Sequence, residues 1–163
     1  MFDYILKDRD GNLFISITNE GENKLSECPQ LTHCLAVVRL GNDYLLGKNK
    51  WRSRWEIFGG CIEKGETAIE CIMRECCEEL GIENVGFKYL GVMKFLMMPD
   101  WFSSEERIEY GALYGVSLDG MGIDEIRGQI EDRDEITDIA LYSDINGKEP
   151  IAPIDEKLPE YYR

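Results

Sequence analysis

Hydrophobic positions in this chain follow a two-residue rhythm or form short runs, and fall into a helical rhythm in one central segment. Residues 4–6 and 13–17 flank the polar turn Asp8-Arg9-Asp10-Gly11, which predicts an N-terminal hairpin, and the polar stretch 19–30 predicts a loop after it. Runs 31–40 and 44–47 are β-like and are split by Gly41-Asn42-Asp43, so a second hairpin is expected. Two longer strand-rich runs, 85–98 and 108–118, are joined by a loop at 99–104 that exposes Trp101 and Phe102. Residues 139–142 predict a last short strand. Pro153 with 154–162 predicts a short terminal helix, started or broken at Pro159, since proline lacks the amide that a helix interior uses.

The helical segment lies between Thr67 and Gly81. Thr67 and Glu70 are spaced as a capping box, no proline interrupts, and Gly81 supplies a left-handed stop, so a helix over 67–80 follows. Ile69, Ile72, Met73, Cys76 and Leu80 recur at intervals of three and four and form an apolar stripe for packing on a core. Glu75, Glu78 and Glu79 lie off that stripe along one flank. Three carboxylates within about one turn repel one another unless something cationic sits among them. Clustered oxygen ligands without His or Cys favour Mg2+ or Mn2+ over zinc.

Composition narrows the class. A chain of 163 residues, 44% hydrophobic and 31% charged, suits one soluble domain covering 1–163. Its longest apolar stretches, such as 35–38 and 95–98, are too short to span a bilayer, and the charged stretch 1–10 predicts no secretion signal. Cysteines 28, 34, 61, 71, 76 and 77 form no C-x-x-C pair, which predicts free thiols in a reducing cytoplasmic setting and no structural zinc. A formal charge of −14 argues against long nucleic acids, whose binding depends on many Lys and Arg contacts. A small phosphate ester needs only local positive charge, and Lys48, Lys50, Arg52 and Arg54 offer it; the two guanidinium forks match phosphate oxygens.

From Gly60 to Ile82 the chain reads GCIEKGETAIECIMRECCEELGI. Gly60, Glu66, Arg74, Glu75, Glu78, Glu79, Gly81 and Ile82 fall in the register Gly, five residues, Glu, seven residues, Arg-Glu, apolar, any, Glu-Glu, any, Gly, apolar. The segment resembles the box of the Nudix hydrolase family. Two positions depart from it: Cys76 stands where the family usually has an aliphatic residue, and Phe58 stands where a proline commonly precedes the two glycines.

The resemblance implies an α/β fold, an α/β/α sandwich around a mixed β-sheet, with 1–30 as an N-terminal hairpin extension. It implies hydrolysis of a nucleoside diphosphate linked to another group, with Mg2+ or Mn2+ held by Glu75, Glu78, Glu79 and the Gly60 carbonyl. Arg74 then orients the glutamates, and Glu66 holds loop to helix. The general base is a helix glutamate or a carboxylate from a distant loop, where Glu135 and then Glu131 are the candidates. Arg52, Arg54, Trp55 and Glu56 are expected at the substrate, and Trp51, Trp55, Trp101, Phe102 and Tyr110 are candidates to stack on a base. His33, the single histidine, reads as structural.

The substrate expectation is a small nucleotide, either a damaged nucleoside triphosphate such as 8-oxo-dGTP or a nucleotide sugar such as ADP-ribose. Two other classes compete: a non-catalytic nucleotide sensor, which would have dispensed with the box glutamates, and an isoprenoid diphosphate isomerase, for which Cys61 is the one suitably placed thiol. No membrane partner is expected, and a homodimer is left open.

Overall fold

The computed structural model describes residues 3–163; Met1 and Phe2, which open the charged stretch 1–10, lie outside them. The predicted N-terminal hairpin is present as β1 (Leu6–Lys7) and β2 (Leu13–Thr18), paired antiparallel. Within the expected loop, Glu22–Glu27 winds into a 3-10 helix because Leu25 turns inward and is buried. β3 (Leu31–Leu40) and β4 (Asp43–Asn49) form the second hairpin. They are followed by two strands that the sequence pattern did not reveal, β5 (Arg54–Glu56) and β6 (Phe58–Cys61). Then come α1 (Ala68–Leu80), β7 (Lys88–Met97) and β8 (Arg107–Ser117). The chain closes through α2 (Ile123–Gln129), β9 (Ile136–Leu141), α3 (Tyr142–Ile145) and α4 (Pro153–Lys157), the last running into a 3-10 turn at Leu158–Tyr161 that accommodates Pro159.

The strands form one mixed sheet in the order β1-β2-β7-β8-β3-β4-β5. The β3–β8 pairing is parallel and the others are antiparallel. β3 is long enough to serve two partners along one edge: its first half pairs β6 from His33↔Cys61 to Ala36↔Phe58, and its second half pairs β4. That division brings the strand before α1 against the middle of the sheet.

Alternation along β3 sends Cys34, Ala36 and Val38 to one face, where they pack with Ile72, Cys76 and Leu80 of α1, Ile126 of α2 and Leu25. Val37 faces the other way and packs with Trp55, Phe14, Met93, Leu113, Ile145 and Leu158. Helices therefore cover both faces, the α/β/α arrangement expected.

The helix start is as predicted: Glu70 N donates to Thr67 Oγ1 at 3.2 Å and Thr67 N to Glu70 Oε1 at 3.0 Å, and Gly81 ends the helix at φ 66°. The apolar stripe is corrected. Met73 is 52% exposed, and the buried positions are Ala68, Cys71, Ile72, Glu75, Cys76, Glu79 and Leu80. Position 73 lies at the rim of that face although its spacing to 76 and 80 is helical, and two carboxylates complete the face.

Candidate active site

α1 carries its carboxylates into contact with the β6 ribbon. Glu75 and Glu79, one turn apart, are 8% and 6% exposed, whereas the Glu78 side chain is half exposed. Gly60 faces Glu75 across the strand–helix junction, and a Cβ there would overlap the Glu75 carboxylate. Gly59, at φ 146°, has no room for a side chain against Cys34 and Leu35 of β3, and its amide donates to Glu79 Oε1 at 2.9 Å. The glycine pair thus lets two glutamates approach the backbone closely. The Gly60 carbonyl, expected as a metal ligand, accepts weak hydrogen bonds from the Cys34 and Cys71 thiols, each at 3.7 Å.

Arg74 organises the junction. It donates through Nε and Nη2 to both oxygens of Glu66 at 2.7 and 3.0 Å, through Nη2 to the Cys61 carbonyl at 3.1 Å, and through Nη1 to Glu75 Oε1 at 2.9 Å and Glu78 Oε2 at 3.5 Å. The guanidinium and the Glu63 amide hold the Glu66 carboxyl down to about 2, so Glu66 stays ionised and locks the loop to the helix. Burial pushes Glu75 up despite Arg74. Glu79 makes no ion pair among the described residues; burial drives its carboxyl up to about 9, and the Gly59 amide and no cation opposes that shift.

Glu135, in the loop before β9, is near enough for its charge to act on this group. Its amide neighbour across the sheet is Lys50, whose N–H donates to the Glu135 carbonyl at 2.9 Å, and its charge acts on Glu75, Glu79 and Arg52. Glu131 acts on Cys77, where the charges of Glu78 and Glu83 also act.

Arg52 and Arg54 converge on one buried acid. Arg52 donates to both Glu56 oxygens at 2.8 and 2.9 Å, and Arg54 to Oε2 at 3.0 Å. Glu56 therefore holds the arginine pair in place. Trp55 is corrected: strand alternation in β5 turns its ring into the core, where it is 4% exposed and unable to stack on a ligand. Trp51, Trp101 and Phe102 are exposed, and the last two lie ring to ring at 4.0 Å between centroids. His33 packs on Phe95 over Gly111, with Nδ1 at 2.9 Å from Thr32 Oγ1, and burial lowers its basicity.

The NUDIX domain family model matches residues 31–158. The chain belongs to the Nudix family. Two proteins called NAD-capped RNA hydrolase NudC, from Vibrio vulnificus and Vibrio parahaemolyticus, are 27% and 29% identical over 104 residues, 57% of this chain. The match spans only 40% of the length of those curated relatives. Among solved structures, a Bacillus subtilis pyrophosphohydrolase aligns over 98% of this chain and 93% of its own, at TM-score 0.67 and 21% identity. The NUDIX domain of Shewanella oneidensis NrtR, complexed with ADP ribose, aligns over 89% and 92% at TM-score 0.62 and 16% identity. These likenesses concern the fold; family membership places the chain among hydrolases of phosphoric anhydrides.

In this Nudix chain the departures from the box are absorbed locally. Cys76 is fully buried in the helix–sheet contact, and Phe58, equally buried, fills core space on the α1 face. A divalent cation fits the donors that remain. They are carboxylate oxygens only, and Glu79 is a buried acid lacking the positive charge that would let it ionise. Among the described residues no three acids, cysteines or histidines converge as they stand, and Arg74 pairs with both Glu75 and Glu78.

Two residues escaped the sequence reading. Asn49 is 1% exposed, and its Oδ1 accepts from the amides of Trp51 and Arg52 at 2.9 and 3.0 Å, shaping the loop that presents Arg52. An Asn opening a turn was the available signal. Asp155 accepts from Ile57 N at 3.0 Å across 98 positions, and nothing local in the sequence announces that contact.

Proposed function

We propose that the protein is a divalent-metal-dependent pyrophosphohydrolase that cuts the phosphoric anhydride bond of a small nucleotide, with nucleoside triphosphates, damaged ones such as 8-oxo-dGTP included, as the leading class. The observation that carries this reading is Glu79: a buried carboxylate beside Glu75, hydrogen bonded to Gly59 and facing no cation among the described residues. Glu75, Glu78 and Glu79 would hold Mg2+ or Mn2+, which when bound supplies charge to the phosphate oxygens and lowers the pKa of the attacking water.

Each remaining role follows from a contact or from the reach of a charge. Arg74 keeps Glu75 and Glu78 oriented while its other edge is committed to Glu66. Glu135, close enough for its charge to act on both Glu75 and Glu79, is the proposed acceptor of the water proton. Arg52, with half its side chain exposed and its fork set by Glu56, presents donors to a phosphate. Positioning and charge stabilisation dominate the rate of such phosphoryl transfers.

A nucleotide sugar such as ADP-ribose is the second reading. The exposed pair Trp101–Phe102 favours it, since a second ring or sugar beyond the diphosphate needs an apolar platform outside the glutamate pocket. Product analysis on nucleoside triphosphates, 8-oxo-dGTP, ADP-ribose and dinucleoside polyphosphates, with Mg2+ or Mn2+ and beside Glu79→Gln, tests both. Cleavage of a panel member that disappears in the variant is the expected result. Nucleotide binding without cleavage under every metal would support the sensor class instead.

A further inference from the structure

The segment leading into α4 lies alongside the ribbon that carries the glycine pair. Trp55 N donates to the Pro150 carbonyl at 3.0 Å, Ile151 bridges Trp55 in parallel, and Ala152 N donates to the Trp55 carbonyl at 2.9 Å. One step further, Ile57 N donates to Asp155 Oδ2 at 3.0 Å. Two residues beyond Ile57, Gly59 N donates to Glu79 Oε1. The ribbon 55–59 is therefore tied at one end to the last helix of the chain and at the other to the carboxylate helix. Glu56, between the ties, fixes the side chains of Arg52 and Arg54. None of the roles assigned above uses Asp155.

An Ile57 amide satisfied by a side chain, in place of a neighbouring strand, depends on one rotamer of one residue. Losing that acceptor frees Ile57, the position between the β5–β4 and β6–β3 pairings, to shift and to pull on Gly59 two residues on, while those pairings, the two Trp55 contacts and the core beneath remain. A shift of a fraction of an ångström at Gly59 changes the direction of the one hydrogen bond that orients Glu79. Misplacement of about 1 Å in a site of this kind costs roughly a hundredfold in rate.

We propose that Asp155 is a positioning residue for the reaction: by holding Ile57 N it sets the glycine ribbon, and through it the Glu79 carboxylate and the arginine pair at Glu56. The inference rests on the hydrolase reading above, and substrate is not touched by Asp155 itself. An acceptor oxygen at this position is what matters, so Asn serves in place of Asp.

The test compares Asp155→Ala and Asp155→Asn with the wild type, using the best substrate of the panel and, separately, Mn2+ alone followed by the paramagnetic resonance of the free ion. Asp155→Ala is expected to lower kcat at least about tenfold with KM within about threefold, and to weaken Mn2+ binding several-fold. Asp155→Asn is expected to recover both to within about threefold. If the alanine variant does not fold, Asp155→Ser, polar but too short to reach the amide, takes its place against the same Asn control. Unchanged kcat and Mn2+ binding in a folded Ala or Ser variant would overturn the proposal. So would equal losses in Asn and Ala, or a loss confined to KM for one base, which would make Asp155 a direct substrate contact. A wild type inactive on the whole panel that still binds Mn2+ would refute the hydrolase reading, and the Mn2+ comparison would still decide whether Asp155 orders the glutamates.

Discussion

At the scale of single residues, the site is a contest between burial and charge. Glu66 has its cation in Arg74 and is held down to about 2; Glu79, one helix away in sequence, has none among the described residues and is driven up to about 9. Replacing Glu79 by Gln keeps an acceptor for Gly59 N but removes the charge a metal needs, and kcat is expected to fall about a hundredfold or more in steady-state assays. Asp155 gives the pH prediction. Burial and the Glu56 charge raise its carboxyl from 3.8 to about 7, so the folded protein holds a proton that the unfolded chain has released. The contribution is fully present below about pH 4 and is lost as pH rises through 7, at no more than about 1.4 kcal/mol per pH unit. Subtracting the stability profile of Asp155→Asn from that of the wild type in urea titrations between pH 4 and 8 should reveal that downward slope; a flat difference would count against it. The glutamates were legible in the sequence because they sit within one short, contiguous segment. The approach of Asp155 was not, because a contact across 98 positions leaves no local trace.

At the scale of elements, α1 is specified locally and the ribbon before it is not. The Thr67–Glu70 capping box fixes the helix start, and Thr67→Ala is expected to cost about 1 kcal/mol, lowering Tm by about 2–4 °C in thermal melts. Gly59→Ala should be worse for function than for folding elsewhere: at φ 146° a Cβ meets the Cys34 carbonyl, so the ribbon must move away from β3 and take the Glu79 hydrogen bond with it. A drop in Tm of several degrees together with loss of activity is the expected pair of readings. β5 and β6 escaped the hydrophobic pattern because each is short and β6 spends two of its four residues on glycine; they are strands because β3 and β4 offer edges to pair with. The misassigned Met73 has a related cause, since a periodic reading counts apolar residues only and the face of α1 is completed by Glu75 and Glu79.

At the scale of the molecule, a mixed sheet with helices on both faces brings the start of β6, the carboxylate flank of α1 and the loop before β9 to one place. If those carboxylates hold a cation in the native state only, Mg2+ or Mn2+ at a hundred times its dissociation constant should stabilise the protein by about 2.7 kcal/mol. Calorimetry should then show Tm rising by roughly 5–10 °C, reversed by a chelator and absent in Glu79→Gln. An equal rise in the variant would place the binding elsewhere. Among the described residues no helix is long and apolar enough to cross a membrane. By itself the sequence determined the family, the helix with its caps and the identity of its acidic residues, because all of these are written in neighbouring positions whose spacing sets a helix face. Only the tertiary structure decided that Glu79 is buried without a cation, that Glu56 binds two arginines, that Trp55 belongs to the core and that Asp155 holds Ile57. Each of those depends on which distant strand or helix comes to lie alongside, and pairing and burial are properties of the closed sheet.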